Sequence, residues 1–396
     1  MYKQGKLFAF AATGYLYATI LVDLYRKLVG INVESIRNII YIFFFVLLVY
    51  DMIKTRRLLP MFAILFVILC LYGFSILINP GYPEVYSSAI ILFIFRLWPA
   101  YYIGRYTEDW DTLCKSVLLF SPIAVIYAVS LFIMPELAGG SAYATIASNL
   151  AYVSMISLFA CLHYKKILWL PIALFCLVPV FFYGTRVFFF GVSLSLFLAY
   201  IINTNNVSPG KRVFLFTTLT VIVIIFLLFS DVIFTQLYQW LPDSRTLKMM
   251  AVGDLMDDSD RSSFYTRIFK HLEERPFSML GFIGDRILLS PPGANSTLIL
   301  SAFSHNCCLE ICMNFGVPLG IILNIYFIKK LIVAFRQSFS VQYTINYVYV
   351  LILGVVFLNM MISASYLSEY TVWLLFGLAL NICHETNYSN KNIVIQ

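Results

Sequence analysis

Apolar residues in this chain are gathered into separated runs, each near the length of about 20 mostly apolar residues that a helix needs to cross a bilayer. The runs are continuous and do not alternate, which excludes a closed transmembrane barrel. Composition agrees: of 396 residues, 61% are hydrophobic and 12% charged, far from a soluble domain. The fold class expected is therefore an all-α polytopic integral membrane protein.

By the length rule the chain holds about twelve transmembrane helices. They lie near 7 to 22, 36 to 53, 58 to 79, 85 to 104, 113 to 134, 145 to 162, 167 to 183, 187 to 202, 213 to 230, 308 to 328, 345 to 364 and 369 to 383. Three regions follow: spans one to nine over 1–230, one large polar loop over 231–305, and spans ten to twelve with a short tail over 306–396. The first run lacks the small-residue cleavage site of a signal peptide and reads as an anchor.

Lys and Arg resist translocation in short loops. Alternate connections carry Lys3 and Lys6, then Lys54, Arg56 and Arg57, then Arg105, then Lys165 and Lys166, then Lys211 and Arg212, then Lys329, Lys330 and Arg336. These connections, and both termini, are expected in the cytoplasm; segments such as 80–85 and 135–145, which have no Lys or Arg, are expected outside. The loop 23–37, with Arg26, Lys27 and Arg37, departs from this pattern. A net charge of +7 then reflects topology, and no nucleic-acid partner is implied. The eight cysteines fall mostly within apolar runs, which is small-hydrophobe usage, and no structural disulfide is expected.

The polar loop concentrates the chemistry. It mixes Arg245, Lys248, Arg261, Arg267, Lys270, Arg275 and Arg286 with Asp254, Asp257, Asp258, Asp260, Glu273 and Glu274. Phe264, Ile268 and Leu272 recur at helical spacing before Pro276, which predicts a helix lying on the membrane surface. The stretch 281–297 is turn-rich and reads as irregular. Nucleotide-binding, serine-hydrolase and zinc motifs are missing, which argues against an ATP-driven pump.

Single residues stand out against the apolar background. Arg186 lies between the seventh and eighth runs, where a guanidinium suits bidentate recognition of phosphate but equally anchors a helix end at the headgroups. Arg96 sits inside a run, at a cost of about 3 kcal/mol on insertion scales; it either snorkels to the interface or pairs with a carboxylate such as Glu310. His305, followed by Asn306, stands where the loop meets the tenth run, and is either a proton acceptor or phosphate ligand, or a capping residue. A metal site from His305, Cys308 and Cys312 would lack a fourth ligand.

These positions fall into a pattern that resembles the O-antigen polymerase and ligase superfamily (Wzy/WaaL) of bacterial envelopes. Arg261, Tyr265, Pro276, Gly281 and Gly284 are similar to the family's outer-loop motif. His305, Asn306, Leu309, Gly316 and Pro318 match its re-entry motif, and Thr185 with Arg186 its earlier Thr-Arg pair. The chain departs from the family in the longer spacing of PFSMLGFIG and in a final glycine one place late, at Gly320. The resemblance implies a GT-C-like bundle in the bacterial inner membrane with its active site on the periplasmic side. It implies transfer of glycan from undecaprenyl diphosphate to an acceptor hydroxyl, with no cofactor and no metal. His305, Arg186 and Arg261 would be catalytic; Arg267, Arg275, Asn306, Tyr265, Arg96 and Glu310 would bind substrate. Expected partners are the undecaprenyl diphosphate-linked oligosaccharide, membrane lipids, and a chain-length regulator and flippase of the same pathway. Polymerisation is the first expectation, ligation to lipid A core the second, and flipping or transport of a lipid-linked oligosaccharide a third.

Overall fold

A computed structural model describes residues 5–29, 34–133, 142–183, 186–203, 230–240, 259–339 and 343–394. Every regular element among them is helical. Among the described residues, six helices are long and apolar enough to cross a membrane: Lys6–Tyr25, Leu58–Ile78, Pro83–Tyr106, Trp110–Leu131, Val317–Ser338 and Tyr343–Ile362. The chain is thus a multi-pass helical membrane protein. Shorter apolar helices over Ser148–His163, Trp169–Val180, Phe190–Ala199 and Tyr370–His384 coincide with four more of the expected spans, and the helix Glu34–Lys54 with the second; the ninth, up to residue 229, lies outside the described residues.

The chain divides into two compact units, one of Met1–Ala18, Glu34–Ser116 and Asp258–Gln396, the other of Thr19–Val33 and Val117–Asp257. In chain order the helices are α1 (Lys6–Val29), α2 (Glu34–Lys54), α3 (Leu58–Ile78), α4 (Pro83–Leu92), α5 (Trp98–Tyr106), α6 (Trp110–Ile133), α7 (Ala142–His163), α8 (Trp169–Tyr183), α9 (Arg186–Asn203) and α10 (Ser230–Trp240). The second half continues with α11 (Ser259–Glu274), α12 (Gly284–Leu289), α13 (Ser296–Ser301), α14 (Cys307–Phe315), α15 (Val317–Ser338), α16 (Tyr343–Ile362) and α17 (Tyr370–Val394).

In the first unit, α5 and α17 meet backbone to backbone. A Cβ on Gly104 would lie 2.2 Å from the Leu374 carbonyl oxygen, and one on Gly377 2.5 Å from that of Tyr101. Apolar faces gain little from mutual burial in lipid, so small residues that permit such approach carry the packing. Several polar side chains inside the bundle are hydrogen-bonded across helices: Tyr102 Oη donates to Asp51 at 2.6 Å, Trp98 Nε1 to the Met61 carbonyl at 2.9 Å, and Asn381 Nδ2 to the Thr107 carbonyl at 3.0 Å. In the second unit, α7 lies against α8 and α9, with Ser154 Oγ donating to the Ala173 carbonyl at 2.7 Å.

Two departures from the expected spans have local causes. The fourth is continuous from α4 to α5 but widens to a π-helical turn at Phe93–Leu97. Pro99 follows it; proline has no N–H to give and its ring crowds the carbonyl four residues back, here that of Phe95. The tenth, expected over 308–328, is instead two helices broken at Gly316, whose φ of 76° and ψ of 157° no helix contains. Pro318 sits in the first turn of α15, where a missing N–H is harmless.

The polar loop is more ordered than its composition suggests. α11 forms as its periodicity predicts, but its stripe of Phe264, Ile268 and Leu272 is covered by protein. Ile268, Leu289, Ala302 and Met313 make a small core, with Tyr265, Leu280 and Leu309 around it. The apolar stripe therefore faces α12 and α14 and does not present a membrane-lying face. Within 281–297, expected to be irregular, α12 and the start of α13 are helical, the latter capped by Asn295, whose side chain accepts from Leu298 N at 2.9 Å.

Candidate functional site

The break at Gly316 is the anchor of the loop. In an unbroken helix the N–H groups of residues 317 and 318 would bond the carbonyls of Met313 and Asn314. Here Pro318 has none, and Val317 N turns away to the Pro276 carbonyl at 2.8 Å. The freed carbonyls are taken by the loop: Gly281 N donates to Asn314 O at 3.0 Å and Leu280 N to Met313 O at 3.4 Å. Gly281 has φ +73°, and a Cβ there would lie 2.7 Å from Ser75 Oγ, the same hydroxyl that accepts from Phe282 N at 2.8 Å. Asn79 Nδ2 adds a bond to the Leu280 carbonyl at 2.8 Å. Gly320 lets the first turn of α15 fold back on α14, since its Cβ would meet Cys312 Cα at 2.6 Å. So Pro276, Gly281, Gly316, Pro318 and Gly320 form one interlocked turn under α14.

At the other end of α14, Asn306 is the N-cap. Its Oδ1 accepts from Leu309 N at 3.0 Å, while its Nδ2 donates to the Met361 carbonyl at 2.8 Å. Cys307 is buried and its thiol donates to the Ala364 carbonyl at 3.3 Å, so the two residues after His305 act as cap and packing. His305 itself has φ +54°, a left-handed conformation that is costly for any residue with a Cβ. Its ring is half-buried, 4.2 Å between centroids from Phe303 and 6.3 Å from Phe264, the latter nearly parallel at 16°. The imidazole thus touches α11, the helix on which Arg261 and Tyr265 lie.

Behind this turn is a buried ionic cluster. Arg286, 2% exposed, gives Nη1 to the Leu300 carbonyl at 2.7 Å and Nη2 to Ser365 Oγ at 2.6 Å, with Glu310 Oε1 at 3.5 Å from Nη2. Glu310 accepts from Ser365 Oγ at 2.5 Å and from Tyr366 N at 3.0 Å. Asp285, fully buried, is different: neither side-chain oxygen has a hydrogen-bond partner of ordinary geometry. Burial pushes its carboxyl up to about 6, against the opposing pull of Arg286. The folded chain then holds this proton more tightly than the unfolded chain, so stability is fullest below the ordinary carboxylate range and falls as pH rises through about 6. Asp285→Asn is expected to remove this pH-dependent loss, seen as a flatter thermal midpoint between pH 4 and pH 7 than in the wild type.

The expected site residues divide. His305, Asn306, Glu310 and Tyr265 are brought together around α14. Arg267 is exposed and donates to the Leu289 carbonyl at 3.1 Å, tying α11 to α12; Arg275 is exposed at the end of α11. Arg261 opens α11 and Arg186 opens α9, and the side chains of both lie outside the described part of the structure. Arg186 belongs to the second unit. The pairing of Arg96 with Glu310 is corrected: Glu310 serves Arg286, while Arg96 stacks on Tyr370, 5.3 Å from its centroid, with the Glu369 charge nearby. The cluster of Asp285, Arg286 and Ser365 carries no role in the sequence reading, although a charge pair inside FIGDRILL is a departure from its apolar surroundings. Among the described residues no group of three His, Cys, Asp or Glu is placed to hold a metal. All eight cysteines are free thiols.

No known protein-family pattern matches the chain, and no curated protein matches it.

Proposed function

We propose that the protein is a membrane glycosyltransferase of the O-antigen polymerase type. It moves a growing glycan from undecaprenyl diphosphate onto the non-reducing end of an incoming lipid-linked repeat unit, at the periplasmic face of the inner membrane. The observation that carries this reading is contact between separate stretches: the outer-loop residues Pro276 and Gly281 bond Val317 and Asn314 on either side of the break at Gly316, and Phe264 of α11 stacks on His305. Residues about forty positions apart, which resemble one family only when taken together, are neighbours in the fold.

In the reaction, the anomeric carbon's bond to the diphosphate oxygen breaks and its bond to the acceptor hydroxyl oxygen forms. The hydroxyl proton passes to His305, and the diphosphate leaves on the carrier. Arg261 offsets the charge that develops on the leaving group, the kind of electrostatic work that a preorganised guanidinium group does well. The diphosphate is itself a competent leaving group, so the reading calls for no nucleotide.

The test supplies purified protein with two lipid-linked repeat units. Elongation to longer carrier-bound glycan is expected. Transfer to core lipid without elongation would reassign the chain to ligation. Full cellular function after deletion of residues 245–295 would turn the reading toward transport.

A further inference from the structure

Arg286 occupies a position that the reaction above does not use. Its guanidinium joins three stretches of chain: the end of α13 through the Leu300 carbonyl, α14 through Glu310, and the connection between α16 and α17 through Ser365. That connection, residues 363–369, is non-helical, with Ala364, Ser365 and Leu367 buried. The same guanidinium lies over the ring of Phe303, its Cζ 5.6 Å from the centroid. Phe303 in turn lies 4.2 Å from the His305 ring, and both residues belong to the five-residue connection between α13 and α14.

We infer that Arg286 is a positioning residue for His305, acting through Phe303. This rests on the reading of His305 as the reactive group. The physical basis is that a left-handed residue on a short connection has no helix to orient it. Its ring direction is then set by what it packs against. Phe303 lies 4.2 Å from it between centroids, and Phe303 is covered by a cation tethered to Glu310 and Ser365, both buried, and to the half-buried Leu300. A planar guanidinium both stacks and bonds in a fixed fork, which an ammonium cannot do. The function of the buried pair with Glu310 is then to keep that plane in place. A misplacement of the order of 1 Å in a reacting group lowers rate by about 100-fold.

Three variants test this in the full-length, detergent-purified protein: Arg286→Lys, Phe303→Leu and Phe303→Tyr. The first keeps the charge opposite Glu310 but loses the plane; the second removes the aromatic relay; the third retains it. The primary readout is the rate at which diethyl pyrocarbonate modifies His305, followed by peptide mass spectrometry against the other three histidines. Arg286→Lys and Phe303→Leu are each expected to change the His305 rate severalfold, to leave His163 and His384 unchanged, and to give no further change when combined. Phe303→Tyr is expected to behave as wild type. In elongation assays the first two should lower kcat with KM for the lipid-linked unit unchanged. A wild-type His305 rate in Arg286→Lys, with only a lowered thermal midpoint, would overturn the inference by showing a purely structural pair. The same holds for an unchanged rate in Phe303→Leu. Failure of the functional reading looks different: His305→Ala would elongate normally while the modification rates still respond to Arg286 and Phe303.

Discussion

Arg286→Ala is expected to destabilise the protein by about 3 to 5 kcal/mol, the range for removing one partner of a buried ion pair. The reason lies in what stays behind. Glu310 is fully buried and would keep Ser365 and Tyr366 as donors but lose its cation. The Leu300 carbonyl and Ser365 Oγ would each lose a charge-assisted bond. The cavity left by a side chain of that size adds to the loss. Measured as the thermal midpoint of the detergent-purified protein by size-exclusion survival, this variant should fall well below Arg267→Ala, whose part-buried bond to the Leu289 carbonyl is worth about 1 kcal/mol. The paired replacement Arg286→Met with Glu310→Met should recover most of the loss, because desolvating two charges offsets much of their attraction. A midpoint for Arg286→Ala equal to that of Arg267→Ala would sink the argument, and would mean that the non-helical stretch 363–369 is held by other contacts.

That ionic cluster also shows where sequence reasoning reaches its limit. Helices were legible where one period dominates: α3 and α16 are continuous apolar runs, and α11 declares its stripe at 264, 268 and 272. The capping alternative weighed for His305 falls one residue later, on Asn306, the polar residue directly before the apolar run. What was not legible depends on partners distant in sequence. The break at Gly316 is stabilised by donors from residues 280 and 281 and pays back a bond to the Pro276 carbonyl, so neither side declares the other. Arg286 was one cation among seven in the loop, and only the fold sets it beside Glu310 and Ser365. Arg96 and Glu310 made a plausible pair by charge alone; the fold gave each a different neighbour.

His305→Ala is expected to lower chain elongation by about 100- to 10,000-fold, the range for loss of a positioned general base, while moving the thermal midpoint very little. The small stability effect follows from the backbone. Histidine and alanine both carry a Cβ, so the left-handed conformation at φ +54° is strained to a similar degree in each. His305→Gly separates the two quantities further. Glycine enters that region without penalty, so this variant should be as inactive as His305→Ala yet more stable than wild type by about 1 kcal/mol. Strain that is relieved by an inactivating change is strain held for function. The kinetic parameters then distinguish the chemical roles. A loss confined to kcat assigns proton transfer or transition-state stabilisation to the imidazole, whereas a raised KM with kcat unchanged assigns it to holding the diphosphate in ground and transition states alike. If His305→Gly is stabilised and still elongates glycan at the wild-type rate, the imidazole has no part in the chemistry, and the left-handed turn serves only to carry the chain from α13 into α14.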